Sequence, residues 1–210
     1  MEHVKIIIEN CNNCSLYKEF SIKHPNAFYL RGKVKNWDGM VHFINKGAQF
    51  KIGLLPLVVA KCKEFGYKVK VIDTRPKLEL PKKPVTKIAQ FDLREEQIQA
   101  VSSILYNKVE NIPFHIGVID YTVNAGKTAV MVALYLSFKR KLKTLLITND
   151  SDWLNQAKRE FKDYLPGEDI TFVQGSKVDN WSNFSIGMIQ SLSRNVKKYQ
   201  RELTKIDMVL

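Results

Sequence analysis

The most constraining feature of this chain lies around residue 126. An apolar run, Ile116 to Ile119, leads into a short loop ending Asn124-Ala125-Gly126-Lys127-Thr128, and an apolar helix-forming run starts at Lys127. A strand, a tight loop and a helix in that order make a cradle for phosphate. Backbone amides turn inward, the helix N-terminus contributes its dipole, a lysine reaches the β and γ phosphates, and a hydroxyl holds magnesium. Lys127 and Thr128 supply the last two groups. The full spacing asks for a glycine five residues before Gly126, and Tyr121 stands there.

The surrounding pattern fixes the fold class. Helical periods at Leu93 to Asn107, Lys127 to Phe138 and Asp152 to Tyr164 alternate with strand-like runs at Ile116 to Ile119, Thr144 to Thr148, Ile170 to Val173 and Ser185 to Ile189, and further helix follows from Gln190. Such alternation predicts a parallel sheet covered by helices on both faces, an α/β architecture. Upstream, Arg75 to Pro84 holds three prolines in ten positions, which argues for an extended linker. Residues 1–75 then form a small α+β domain, 76–90 the linker and 91–210 the parallel-sheet domain. Within the first, Val4 to Glu9, Phe28 to Lys35, Met40 to Asn45 and Tyr67 to Ile72 read as strands. Asn36-Trp37-Asp38-Gly39 reads as a hairpin turn, and Leu54 to Phe65 as a helix closed by Gly66.

Composition narrows the partners. Residues 1–76 carry 13 Lys/Arg against 6 Asp/Glu, whereas residues 91–210 carry 16 against 14, so the surplus in a net charge of +12 sits in the first third. A local basic surface of this kind suits a polyanion, because lysines that neutralise phosphates release condensed counterions. No run approaches the roughly 20 apolar residues of a membrane-spanning helix, and the N-terminus lacks a signal pattern. Three cysteines fit a reducing compartment, so a cytoplasmic protein with no membrane partner is expected. Cys11 and Cys14 have zinc-knuckle spacing but lack a matching second pair.

Motifs around the phosphate loop extend the reading. Leu93-Arg94-Glu95-Glu96-Gln97 precedes it, Leu145-Leu146-Ile147-Thr148-Asn149-Asp150 follows it, and Ile186-Gly187-Met188-Ile189-Gln190-Ser191-Leu192 comes later. In this order they resemble the conserved elements of superfamily 2 DNA helicases. The resemblance implies an incomplete RecA-like motor domain that takes ATP with Mg2+. In it Asn124, Ala125, Gly126, Lys127 and Thr128 hold the phosphates, Thr128 the magnesium, and Gln97 with Arg94 the adenine. It implies DNA contacts from Asn149, Gln190 and Ser191. Val34 to Gly39, Ile52 to Leu55 and Glu64 to Lys68 further resemble the accessory domain of a phage recombination-repair helicase, which implies action on branched DNA in recombination, repair or replication.

Lys205 to Leu210 reads as the strand that should end in the Asp-Glu pair of Walker B, with Asp207 at its start. The expectation is therefore the front part of a helicase, truncated before Walker B and deficient in hydrolysis alone. Two alternatives stay open: a non-enzymatic DNA-binding fragment, or one half of a split helicase whose partner chain carries the remaining motifs. A small-molecule phosphotransferase would need an acceptor site for which the sequence gives no signature.

Overall fold

The computed structural model describes residues 4–9, 16–30, 37–122, 125–175, 178 and 180–210. The chain divides into two compact units. The first comprises Met1–Lys77 and Lys108–Gly117, and the second Leu78–Asn107 and Val118–Leu210.

In the first unit, β1 (Val4–Glu9) pairs antiparallel with β4 (Lys68–Asp73), with Val4 opposite Asp73. Strand side chains alternate between faces, so Val4, Ile6 and Ile8 are half-buried while Lys5, Ile7 and Glu9 are exposed. The buried face packs against α3 (Leu55–Glu64), which follows a single 3-10 turn at Ile52–Leu54 and buries Leu55, Val58, Val59 and Cys62 along one helical stripe. Burial pushes the Cys62 thiol pKa up. Gly66, at φ +76°, ends the helix in the left-handed region, where its amide and that of Tyr67 return to the carbonyls of Lys63 and Cys62.

Smaller elements complete this unit: α1 (Leu16–Glu19), β2 (Ser21–Lys23), α2 (Ala27–Leu30) and β3 (Met40–His42). Sequence patterning predicts a hairpin in which Phe28 to Lys35 pairs with the strand after Gly39. Instead, β3 pairs antiparallel with β2, and residues 27–30 are helical. Residues 31–36 lie outside the described part. Side-chain chemistry accounts for the geometry after the turn. Asp38 accepts the Met40 amide through Oδ1 at 2.9 Å and meets His42 Nε2 through Oδ2 at 2.7 Å, and these two bonds hold its carboxyl pKa below the usual range.

The second unit opens with a two-stranded piece, β5 (Lys87–Ile88) and β6 (Phe91–Asp92), and then α4 (Glu95–Tyr106). The chain next passes to the first unit, where β7 (Lys108–Val109) and β8 (Ile112–Pro113) form a hairpin through Glu110 and Asn111, both at positive φ. Phe114 follows and is buried with Leu55 and Val59. Proline-rich residues 78–84 belong to the second unit, where Tyr106 donates its hydroxyl to the Pro81 carbonyl at 2.9 Å.

The remaining elements are α5 (Lys127–Ser137), β9 (Thr144–Thr148), α6 (Ser151–Tyr164), β10 (Ile170–Val173), β11 (Phe184–Met188), α7 (Ile189–Arg194), α8 (Val196–Leu203) and β12 (Met208–Val209). The four strands form a parallel sheet in the order β10-β11-β9-β12. Every residue of β11 is buried, as a central parallel strand covered on both faces requires. At its end Gly187 leaves room for α7: a Cβ there would lie 2.9 Å from Leu192 Cδ1. Helix α5 is buried on nearly all sides, and its one buried phenol, Tyr135, donates to Glu168 Oε1 at 2.8 Å.

One predicted strand does not form: residues 116–119 are described without strand pairing. Ile119 and Tyr121 instead pack, half-buried, against the core that α4, α5 and the sheet share. Asp207 precedes β12 and exchanges hydrogen bonds with the Lys143 backbone, its amide donating to the carbonyl at 2.9 Å and its Oδ2 accepting the amide at 2.8 Å. This pair sets the register of β12 against β9.

Candidate nucleotide and nucleic-acid site

Helix α5 starts at Lys127 because Gly126, at φ +81°, turns the chain into it, and the Gly126 carbonyl accepts the Ala129 and Val130 amides. The first turn of α4 grips this corner. Gln97, 6% exposed, accepts the Arg94 amide through Oε1 at 3.0 Å and donates from Nε2 to the Ala125 carbonyl at 3.2 Å. Arg94 Nη2 donates to the same carbonyl at 2.5 Å, while its Nε pairs with Glu96. The approach is so close that a Cβ on Gly126 would sit 2.2 Å from Gln97 Nε2. Two separate demands, positive φ and the absence of a side chain, therefore make residue 126 glycine.

Lys127 Nζ donates to the Thr122 carbonyl at 3.2 Å, a bond that an incoming phosphate can replace. Thr128, half-buried, stands beside it at the start of the helix. Asn124 lies outside the described residues. The donor set fits a magnesium-bound triphosphate: an ammonium and a hydroxyl at a helix N-terminus, behind a loop corner whose missing Cβ admits the Gln97 amide. Arg94, Gln97, Ala125, Gly126 and Lys127 are thus brought together. Gln97 directs its amide at the loop backbone, Nε2 also reaching the Gly126 carbonyl at 3.5 Å, and its Oε1 retains one acceptor lone pair for other partners.

A second group lies at the C-terminal edge of the sheet. β9 and β11 are in register, Thr148 opposite Met188, so the segments that follow them emerge side by side. Gln190 Nε2 donates to the Asn149 carbonyl at 3.4 Å, and Ser191 Oγ accepts the Gly175 amide at 2.8 Å. A cavity of about 280 Å3 borders this edge, lined by Met131, Leu146, Ile147, Thr148, Asp150, Trp153 and Leu210. Ligands of open parallel sheets bind outside the carboxyl ends of the strands.

Residues 90–210 match the family described as type III restriction enzyme, res subunit. The chain belongs to this family. Among solved structures it is similar to "Crystal structure of the UvsW helicase from Bacteriophage T4", with a TM-score of 0.71 and 19% identity over 97% of this chain and 80% of that one. It is also similar to "The crystal structure of T4 UvsW", with a TM-score of 0.70 and 19% identity over 97% of this chain and 46% of that one. Comparison with curated protein sequences gives no match. The chain resembles superfamily 2 helicases and has the fold of the UvsW structures, and its α/β architecture with a RecA-like parallel sheet is the one its sequence predicts.

Sequence reasoning missed three contacts at this site. Asp150 is the N-cap of α6, its Oδ1 accepting the Asp152 and Trp153 amides at 2.8 and 3.1 Å. An aspartate just before a helical run was the available signal. The Arg94 contact with Ala125 and the Tyr121 contact with Glu96 join residues 31 and 25 positions apart, and no local pattern announces them. Among the described residues no helix is long and apolar enough to cross a membrane.

Proposed function

We propose that this chain binds ATP with Mg2+ at residues 124–128 and DNA at the carboxyl edge of its sheet, as the nucleotide-binding front part of an ATP-dependent DNA helicase that remodels branched DNA in recombination, repair or replication. The observation that carries the reading is Lys127 at the first position of a buried helix, behind a left-handed Gly126 that Gln97 and Arg94 hold in place. Lys127 neutralises the β and γ phosphates, Thr128 holds the magnesium, and Arg94 and Gln97 orient the loop and border the adenine. Asn149, Gln190 and Ser191 meet the DNA backbone with neutral donors, which position a strand without reading its sequence.

Hydrolysis requires, in addition, a group that orients the attacking water and an arginine across a domain cleft. Among the described residues none is assigned either role. Binding is therefore the activity this reading predicts for these 210 residues, with turnover depending on further segments in the same or a partner chain.

The test is binding of a fluorescent ATP analogue with magnesium to the 210-residue chain. Lys127→Ala is expected to abolish it while leaving the thermal midpoint in place; retained binding refutes the assignment. A second reading, a DNA-binding module that works without nucleotide, is favoured by the basic surplus of residues 1–76. Forked DNA bound with a steep salt dependence, in the absence of any nucleotide binding, selects it.

A further inference from the structure

Tyr121 occupies the position where the phosphate-loop spacing asks for glycine, and the function proposed above gives it no task. Its ring is half-buried against the core of the second unit. Its hydroxyl donates to the Glu96 carbonyl at 2.5 Å. Glu96 belongs to the turn of α4 that also supplies Arg94 and Gln97, the two side chains that hold Ala125. One helical turn thus grips both ends of the loop, its start through a backbone carbonyl and its end through two side chains. The next residue, Thr122, presents its carbonyl to Lys127 Nζ at 3.2 Å and to the Ala125 amide at 3.3 Å. The group that receives the phosphate-binding lysine is therefore one peptide away from the anchored tyrosine.

We propose that Tyr121 is a positioning residue for the phosphate loop. A glycine at this place lets a loop adopt its wrapped shape through backbone freedom; Tyr121 reaches a defined start by an opposite route, a bulky ring seated in the core and a hydroxyl tied to α4. It acts through Thr122, whose carbonyl it places where Lys127 rests before a triphosphate arrives. Core packing alone does not call for the hydroxyl, since phenylalanine would fill the same space.

This proposal rests on the nucleotide-binding reading, and its test separates the two. The full 210-residue chain is compared with Tyr121→Phe, which keeps the ring, and with Tyr121→Met, which keeps apolar bulk; both lack the donor. Loss of one net hydrogen bond corresponds to about a fivefold change in an equilibrium. Exchange of the Ala125 amide is therefore expected to accelerate about fivefold in both variants, with locally exchanging amides of β9 unchanged and the thermal midpoint lowered by only the few degrees that one hydrogen bond implies. Inorganic tripolyphosphate, competing against the fluorescent ATP analogue, is expected to bind about fivefold more weakly. A merely structural tyrosine would lower the thermal midpoint to the same extent and leave the two loop readouts alone. Unchanged Ala125 exchange overturns the proposal whether or not nucleotide binds. Faster exchange with unchanged tripolyphosphate affinity overturns the functional role of the anchor. If the unmodified chain binds no nucleotide, the nucleotide-binding reading fails and a role for Tyr121 in binding falls with it, while Ala125 exchange still decides whether the anchor exists.

Discussion

Gly126→Ala should destabilise the second unit well beyond what one methyl group implies. At φ +81° an alanine carries a left-handed strain of about 1–2 kcal/mol. Its Cβ would also lie 2.2 Å from Gln97 Nε2, and that side chain has nowhere to retreat without surrendering its bonds to the Arg94 amide and the Ala125 carbonyl. Each such bond contributes about 1 kcal/mol net, so the expected cost is about 3 kcal/mol. Gln97→Ala alone removes the same two bonds and should cost about 2 kcal/mol. In the double variant the clash is gone and only the backbone strain adds, so the pair should cost about 3 rather than about 5 kcal/mol, a coupling of about 2 kcal/mol. Urea unfolding followed through Trp153 and Trp181 measures all four corners of the cycle. Costs that add to within about 0.5 kcal/mol would refute the claim that Gln97 and the glycine occupy one another's space.

Glu202 sits between Lys143 and Lys205, both at 2.7 Å, and hydrogen bonds from these two lysines lower its pKa from 4.5 to about 2. A carboxylate depressed on folding stabilises fully above its unfolded value and loses that contribution as pH falls through the folded one. Acid unfolding should therefore show a component between about pH 4.5 and about 2 that Glu202→Gln removes; identical acid profiles for the two chains would contradict it. Asp150→Ala takes away the cap of α6 and should cost about 1 kcal/mol by urea unfolding, whereas Asp150→Asn, which keeps an acceptor, should cost a fraction of that. Equal losses would mean that the charge, rather than the cap, matters.

Elements with strong local signals were legible in the sequence. β9 and β10 run over the predicted residues, and α5 starts at the predicted Lys127, because an apolar run between polar turns, or a helix behind a Gly-Lys-Thr corner, needs no distant information. Elements decided by long-range pairing were not. Phe28 and Tyr29 have the aromatic character of a strand, yet the Asn26 carbonyl collects the Tyr29 and Leu30 amides and closes a helical turn. The Lys108–Pro113 hairpin turns through Glu110 and Asn111 without an Asn-Gly signature, so nothing local marks it. At the candidate site, the phosphate-loop pattern marked Gly126 and Lys127, and the resemblance to superfamily 2 helicases added Arg94 and Gln97. That Gln97 is packed against the loop backbone itself, and that Tyr121 ties the loop to α4, emerges only when residues 25 or more apart come together.

The first unit is discontinuous in sequence, and this bears on how it can be made. Its core includes Phe114, packed on Leu55 and Val59, so a ribosome must release α4 before the unit has all its parts. A gene cut in the proline-rich stretch would express a piece with an apolar face left bare, prone to aggregate for reasons unrelated to its affinity for DNA. A version of this unit meant to stand alone should splice residues 108–117 back on through a short flexible connection. The second unit, with Asn107 joined to Val118 by a short connection, would show how far the phosphate loop keeps its shape once the chain before it no longer passes through the first.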